Sequence, residues 1–149
     1  MITSHLKLYK SLNKNKVKYL IIGGVACGIY GSPRATFDID IFIDPNLSNA
    51  QRLLKALKEA GFGMASLTTP EKILSNEVNV FKDYLEIDIF TKPKGIAFHK
   101  AWLRKEVRSL KGVRIKLVSI DDLMRSKSAS NRQIDKEDIK ILKQLKKLS

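Results

Sequence analysis

The spacing of apolar residues along the chain predicts helices that alternate with short strands. Apolar residues recur at helical spacing in some segments, whereas short apolar runs bounded by glycine, proline or charged residues predict strands in others. The predicted helices are residues 2–15, 25–30, 48–60, 96–103, 119–129 and 135–148. The predicted strands are residues 17–22, 37–43, 64–67, 78–81, 84–90, 107–110 and 113–118, with a hairpin between the last two. This order predicts a single domain over residues 1–149, of the α/β (α+β) class, with a mixed β-sheet flanked by helices and with C-terminal helices.

Part of the core can also be predicted. Cys27 lies in an apolar stretch and is expected to be a small buried residue, since a single cysteine cannot form an internal disulfide. Phe98 and Trp102 lie four residues apart on one helix face and are expected in the core rather than as a base-stacking platform. The last helix is expected to bury Ile139, Ile141, Leu142, Leu145 and Leu148.

Acidic residues interrupt a strand that is otherwise apolar. In residues 37–43, Asp38 and Asp40 project from one face, and Ile39 and Ile41 from the other. Two carboxylates at this spacing repel each other unless a positive charge lies between them. A hard divalent cation, which prefers oxygen ligands, removes that repulsion. The pattern therefore indicates a metal site, and solvent-facing acids on an amphipathic strand are the alternative.

Residues 84–90 repeat the alternation, with Glu86 and Asp88 on one face. If the two strands are neighbours, Asp88 completes a three-carboxylate cluster with Asp38 and Asp40. Such a cluster is able to hold one or two magnesium ions and to stabilise the attacking and leaving oxygens of a phosphoryl transfer. Glu86 competes for the third position, and Asp88 is preferred because it lies closer to the strand end.

A glycine pair, Gly23-Gly24, ends the strand over residues 17–22 and opens the next helix. Glycine permits a sharp turn there and lets backbone N–H groups approach a phosphate at the helix N-terminus. Glycine pairs are common in turns, so this pair alone is weak evidence for a phosphate site. It becomes informative because Asp38 follows it closely in sequence.

The glycine pair and the acids together carry a family resemblance. Gly23-Gly24, thirteen residues and then Asp-Ile-Asp at residues 38–40 resemble the signature of the polymerase-β-type nucleotidyltransferase superfamily. Residues 30–40 are also similar to bacterial nucleotidyltransferases related to abortive-infection and toxin–antitoxin enzymes. Many superfamily members have serine where this chain has Gly24, which leaves phosphate binding to the backbone.

A second part of the resemblance lies near the C-terminus. Lys127, Arg132, Asp135 and Asp138 resemble the basic helix-and-turn segment that follows the core of these enzymes. With this segment the resemblance covers residues 17–145.

The resemblance implies a role for each matching residue. Asp38, Asp40 and Asp88 are expected to be catalytic and to bind Mg²⁺ or Mn²⁺, with Asp88 activating the acceptor hydroxyl. Arg34 is expected either to contact the nucleotide or to form an ion pair with these acids. The nucleoside triphosphate is expected to contact Gly23, Gly24, Arg34, Thr36, Lys127 and Arg132.

The charge of the chain bears on its partners. The net charge is +13, and residues 91–120 hold nine basic residues and one acidic residue. A positive field attracts polyanions such as nucleotides or RNA, although such a surplus also serves solubility. Lys92 and Lys94 begin this stretch, directly after the strand with Asp88, and are candidates to bind a phosphate. The sequence has no apolar run long enough to span a bilayer and no secretory signal, so we expect a cytoplasmic protein without a membrane partner.

Three functions follow from these patterns. The leading hypothesis is transfer of a nucleoside monophosphate from a nucleoside triphosphate to an acceptor hydroxyl on RNA (tRNA among others), a protein or a small molecule. Such an enzyme is a candidate toxin–antitoxin component, with an antitoxin partner or a homodimer supplying further surface. The alternatives are a catalytically silent nucleotide- or partner-binding member of such a pair, and a basic RNA-binding domain.

Overall fold

The computed structural model describes residues 2–33, 38–130 and 132–148, with only the backbone of Ile2. The described residues form seven α-helices, six strands and a short 3-10 helix at Gly63–Leu67. The helices are α1 (Ile2–Lys14), α2 (Gly23–Ile29), α3 (Leu47–Glu59), α4 (Pro70–Ser75), α5 (Phe98–Leu103), α6 (Ile120–Ser130) and α7 (Gln133–Leu148). The strands are β1 (Tyr19–Ile22), β2 (Ile39–Ile43), β3 (Val78–Lys82), β4 (Glu86–Phe90), β5 (Glu106–Leu110) and β6 (Val113–Leu117).

All six strands join one mixed sheet in the order β3-β4-β2-β1-β6-β5. The hairpins β3–β4 and β5–β6 are antiparallel, as is the central pair β1–β2. The pairs β2–β4 and β1–β6 are parallel. The predicted mixed sheet flanked by helices is therefore confirmed.

The register of β2 against β4 sorts acids and isoleucines onto opposite faces. Asp40 pairs with Asp88, whereas Ile41 pairs with Ile89 and points the other way. The isoleucines of both strands have no exposed surface. One face of the central strands is thus a fully apolar core, and the acids lie on the other.

Helix α1 packs against the apolar face. The Tyr19 hydroxyl in β1 donates to Asn13 Oδ1 in α1 at 2.9 Å. Ser11 Oγ in the same helix donates to the Ala56 carbonyl oxygen in α3 at 2.6 Å. These two buried or partly buried bonds fix α1 and α3 relative to the sheet, since polar groups taken out of water need partners.

Most predicted elements are confirmed. Helix α4 was not among the predicted helices, and three further details were wrong. Residues 64–67 form a 3-10 turn rather than a strand, because only Ala65 of this short apolar run is buried. Helix α2 begins directly at Gly23 instead of after a separate turn. Of the residues that α7 was predicted to bury, Leu142 is fully buried, Ile139, Ile141 and Leu145 are partly buried, and Leu148 is 84% exposed.

Cys27 and Phe98 are confirmed as core residues. Cys27 is buried. Phe98 is buried and stacks on the partly buried Trp102 with 5.5 Å between ring centroids. No helix in the described part of the chain is both long and apolar enough to cross a membrane.

A buried asparagine links the residue before β1 to the residue after β2. Asn49 Oδ1 in α3 accepts from the Lys18 backbone N–H at 2.8 Å, and its Nδ2 donates to the carbonyl oxygens of Lys18 and Asp44. The side chain has no exposed surface. It therefore satisfies three backbone groups at the end of the sheet.

We predict that Asn49→Ala lowers the free energy of unfolding by about 1–3 kcal/mol, because it leaves the Lys18 N–H without its acceptor and removes one of two donors from the Lys18 and Asp44 carbonyl oxygens. Urea denaturation followed by circular dichroism measures the change. Gln51→Ala, at an exposed position of the same helix, is the control and should change stability by less than about 0.5 kcal/mol. Equal stability of the two variants would contradict this role of Asn49.

Candidate active site at the Asp40–Asp88 pair

The sheet brings two acids from distant parts of the sequence side by side. Asp40 lies in β2 between Ile22 of β1 and Asp88 of β4, which are its register partners. Residues opposite each other on neighbouring strands project from the same face of the sheet, and the strands lie about 4.8 Å apart. The predicted adjacency of the two acidic strands is therefore present in the structure.

Gly23 makes room for the Asp40 carboxylate. A Cβ atom placed on Gly23 would lie 2.1 Å from Asp40 Oδ2, and the residue has a positive φ of 69°. Both observations require glycine, because other residues would clash and would also be strained at this φ. The structure thus gives Gly23 a role at the acid itself, in addition to the phosphate contact that the sequence suggested.

The Asp40 carboxyl group is held in an unfavourable setting for a negative charge. Burial raises the pKa of Asp40 to about 7, with a further contribution from Asp88 and a smaller one from Asp38. The positive charges of Lys127 and Arg132 act in the opposite direction and offset only part of this effect. Near neutral pH the carboxyl group therefore binds a proton or requires a cation.

The negatively charged form of Asp88 is also disfavoured by its surroundings. Burial raises the pKa of its carboxyl group, and the charges of Glu86 and Asp38 add to the effect. One of its oxygens, Oδ1, is shielded from solvent and has no hydrogen-bond partner among the described residues. Glu86, the alternative third carboxylate, lies 3.5 Å from Lys82 in an ion pair. The structure therefore makes Asp88, not Glu86, the neighbour of Asp40.

These acids fit a hard divalent cation as a pair. Mg²⁺ and Mn²⁺ prefer carboxylate oxygens as ligands. Asp88 offers a shielded oxygen without a partner among the described residues, and Asp40 offers a carboxylate whose raised pKa shows that its negative charge is poorly stabilised. Within residues 2–33, 38–130 and 132–148, no three His, Cys, Asp or Glu side chains are grouped closely enough to share a metal ion. Asp38 is exposed just before β2, so its place in a three-carboxylate cluster stays a prediction.

A cavity of about 340 Å³ opens beside Gly23 and Asp40. Four basic residues line it, and all four were candidates from the sequence: Lys92, Lys94, Lys127 and Arg132. The first two follow β4, and the other two come from α6 and from the turn before α7. Asp40 is therefore the acidic floor of the cavity, and these four basic residues form what we call its basic wall.

The cavity lysine of α6 is held by acids from α7. Lys127 is only 7% exposed, and its Nζ lies 2.8 Å from Asp138 Oδ2 and 3.4 Å from Asp135 Oδ1. Arg132 Nε also donates to Asp135 Oδ2 at 2.6 Å, and Ser130 Oγ donates to the same oxygen. Burial alone would raise the pKa of Asp135, but these donors and the positive charge of Lys127 hold it at about 2. The network fixes Lys127 beside the cavity.

This role of Asp135 and Asp138 was not predicted from the sequence, in which the two acids were noted only as part of a family resemblance. The signal was present, because two acids three residues apart lie on the otherwise apolar inner face of an amphipathic helix. Gly24 is half-buried in α2. Arg34 and Thr36, predicted to bind nucleotide, lie outside the described residues.

A mixed sheet with paired acids beside a glycine-opened helix and a basic cavity defines a nucleotidyltransferase fold. A profile of the family described as "Nucleotidyl transferase of unknown function (DUF2204)" matches residues 2–148. The chain belongs to this family.

Solved structures share the fold at low identity. The lincosamide antibiotic adenylyltransferase LnuA, in its lincomycin-bound form, is 18% identical with a TM-score of 0.65, and the match covers 97% of this chain and 98% of that one. An antigenic nucleotidyltransferase-like protein from Paracoccidioides brasiliensis is 17% identical, with a TM-score of 0.58 and coverage of 97% and 76%. A putative nucleotidyltransferase from Thermotoga maritima is 16% identical, with a TM-score of 0.51 and coverage of 95% and 88%. No curated protein shows a significant sequence match.

We predict that Gly23→Ala lowers nucleotidyl transfer at least about tenfold, because its methyl group displaces the Asp40 carboxylate. It should also destabilise the fold by about 1–3 kcal/mol through strain at positive φ. Transfer of label from an α-labelled nucleoside triphosphate, together with chemical denaturation, measures both effects.

Gly28→Ala is the matched control in the same helix. A Cβ atom at Gly28 meets no other heavy atom within 4 Å, so this variant should keep full activity and lose no stability. A Gly23→Ala variant that behaves like Gly28→Ala would refute the close approach.

Proposed function

We propose that this chain transfers a nucleoside monophosphate from a nucleoside triphosphate to an acceptor hydroxyl, releases pyrophosphate, and depends on Mg²⁺ or Mn²⁺. The single observation that carries the proposal is the Asp40–Asp88 pair, whose charge the described residues compensate only in part and whose Asp40 lines a basic cavity. Membership of a nucleotidyl transferase family supports the reaction class.

The triphosphate binds in the basic cavity. Lys92 and Lys94 at one side and Lys127 and Arg132 at the other present positive charge to its phosphate oxygens. Lys127 enters the cavity already positioned by Asp135 and Asp138, so little side-chain entropy is lost on binding. A divalent cation held by Asp40 and Asp88 neutralises phosphate charge and acts as a Lewis acid when bound.

Asp88 is the general base of the proposed reaction. Its Oδ1 has no hydrogen-bond partner among the described residues and is therefore available to accept a proton. Its proton comes from the acceptor hydroxyl. The acceptor oxygen then forms a bond to the α-phosphorus, the bond from the α-phosphorus to the bridging oxygen breaks, and pyrophosphate leaves.

The fold comparison supports adenylyl transfer in particular. LnuA is named as an adenylyltransferase of an antibiotic, which favours ATP as the donor and keeps a small-molecule acceptor open for this chain. A toxin–antitoxin role, with an antitoxin or a second copy as partner, is a further proposal that rests on the sequence resemblance. So is a cytoplasmic location.

A second candidate function, RNA binding, rests on a different surface. Three lysine ammonium groups approach the single tryptophan, Trp102, with 4.1 Å from Lys105, 5.3 Å from Lys116 and 5.4 Å from Lys18 to the ring centroid. Burial and the neighbouring cations lower the pKa of Lys116. An anionic partner would relieve this repulsion.

The central test incubates the protein with Mg²⁺, each of the four α-labelled nucleoside triphosphates, and the small-molecule, RNA and protein fractions of a cell extract. Label should move to one fraction, and Asp40→Asn should lower the rate about 100-fold or more. Asp83→Asn removes an exposed carboxylate from the nearby β3–β4 turn and should have no effect.

Two results would count against the proposal. Nucleotide binding without transfer to any fraction would favour a catalytically silent protein. RNA binding that survives the removal of Asp40, Asp88 and Mg²⁺, again without transfer, would favour the RNA-binding function.

A further inference from the structure

A second cavity, of about 630 Å³, adjoins the one that contains Asp40. Four residues line both cavities: Glu77, Lys92, Pro93 and Lys94. The two spaces therefore share one wall, built from the start of β3 and the segment after β4.

The second cavity lies directly beside the carboxylates along the sheet. Phe42 lines it, and Asp40, two residues earlier on the same face of β2, lines the first cavity. Residues two apart in a strand are separated by roughly 7 Å. A molecule of ordinary size placed over Phe42 is therefore long enough to bring one of its groups to Asp40 and Asp88.

The linings of the two cavities differ in chemistry. The second is walled mainly by apolar side chains: Phe42, Pro45, Leu74, Ile96, Ala97 and Phe98. Its charged groups are Glu77, Lys92 and Lys94, all at the shared boundary. Lys127 and Arg132 belong to the first cavity alone. The first cavity suits a triphosphate and the second suits an uncharged molecule, because apolar walls offer nothing to a desolvated phosphate.

The shared wall is anchored before any ligand arrives. Thr91 Oγ1 donates to the Asn76 carbonyl oxygen at 2.6 Å, and the Thr91 backbone N–H donates to the Glu77 carbonyl oxygen at 3.0 Å. Phe98 packs edge-to-face on Phe42 with 5.1 Å between ring centroids. The cavity is therefore preformed, as is usual for small-molecule sites of a few hundred to about 1,000 Å³.

We propose that this second cavity binds the acceptor, and that the acceptor is a small, mainly apolar molecule with a hydroxyl group directed at Asp88. This inference rests on the proposed nucleotidyl transfer and names its acceptor class. The hydroxyl oxygen bonds to the α-phosphorus as the bond to pyrophosphate breaks, and the hydroxyl proton passes to Asp88. The apolar body of the acceptor stays over Phe42 and Phe98.

The test narrows the second cavity without touching the first. Ala97 lines only the second cavity, is exposed and has extended backbone angles (φ −113°, ψ 140°) that accept a larger side chain. Ala97→Phe fills part of the space. Ser109→Phe adds the same ring at an exposed site in β5, the far edge strand, and is the matched control.

Two readouts separate acceptor binding from nucleotide binding. The first is partition of label from α-labelled ATP among the small-molecule, RNA and protein fractions, with ATP affinity measured alongside by equilibrium dialysis. The second uses the fluorescence of Trp102, which stacks on Phe98 in the cavity wall, during titration with a panel of uncharged alcohols smaller than about 600 Å³.

We expect label in the small-molecule fraction, with a rate about tenfold lower in Ala97→Phe and unchanged in Ser109→Phe. ATP affinity should stay within about twofold in both variants. At least one alcohol should change Trp102 emission in the wild type and lose affinity in Ala97→Phe.

Other outcomes overturn the inference. Label confined to RNA or protein contradicts this acceptor class and leaves the proposed function standing. A loss of ATP affinity in Ala97→Phe assigns the second cavity to the nucleoside instead. If no fraction is labelled at all, both the acceptor class and the proposed function fail.

Discussion

The burial of the Asp40 carboxylate directly beside Asp88 is the constraint on which the rest of the site depends. The parallel register of β2 and β4 holds the two carboxylates side by side, and no side chain in the described part of the chain neutralises them fully. A pair of apolar residues would pack better at these positions, as the isoleucines on the opposite face do. The fold tolerates the cost because Gly23 leaves room for Asp40 and because basic residues line the same cavity as Asp40. A bound divalent cation would supply the missing positive charge.

The basic wall is itself organised by acids. Lys127 is buried between Asp135 and Asp138, which anchor the first half of α7 to α6 by charge instead of apolar packing. Breaking one member of such a buried network leaves an uncompensated charge, so its geometry is strongly determined. The lysine that faces a triphosphate in our account is therefore fixed in place, whereas Lys92 and Lys94 lie on an exposed segment between two cavities.

The sequence was sufficient for the six strands of the sheet, their faces and the acids on them, since a period of two is a local property. It also predicted a seventh strand at residues 64–67, which form a 3-10 turn. It was also sufficient for the family, because the spacing from Gly23 to Asp38 is contained in one short segment. Asp40 is opposite Asp88 and not opposite Glu86, and this depends on the register between two strands that are far apart in sequence. The Gly23–Asp40 contact and the burial of Lys127 depend on packing between separate elements. The second cavity is formed by a loop, α4, α5 and one face of β2, which no local pattern describes.

The most direct test of this account is the free energy of unfolding of the wild type and of Asp40→Asn as a function of pH, with and without Mg²⁺ or Mn²⁺. The folded pKa of Asp40, about 7, is above its unfolded value, so its contribution to stability is complete below about pH 4 and is lost as the pH rises through 7. Without metal, the wild type should therefore lose at least about 1 kcal/mol relative to Asp40→Asn between pH 5 and pH 8. At pH 8 the metal should stabilise the wild type and have little effect on Asp40→Asn. Parallel pH profiles for the two proteins, or equal stabilisation of both by metal, would contradict the claim that Asp40 and Asp88 form an uncompensated cation site.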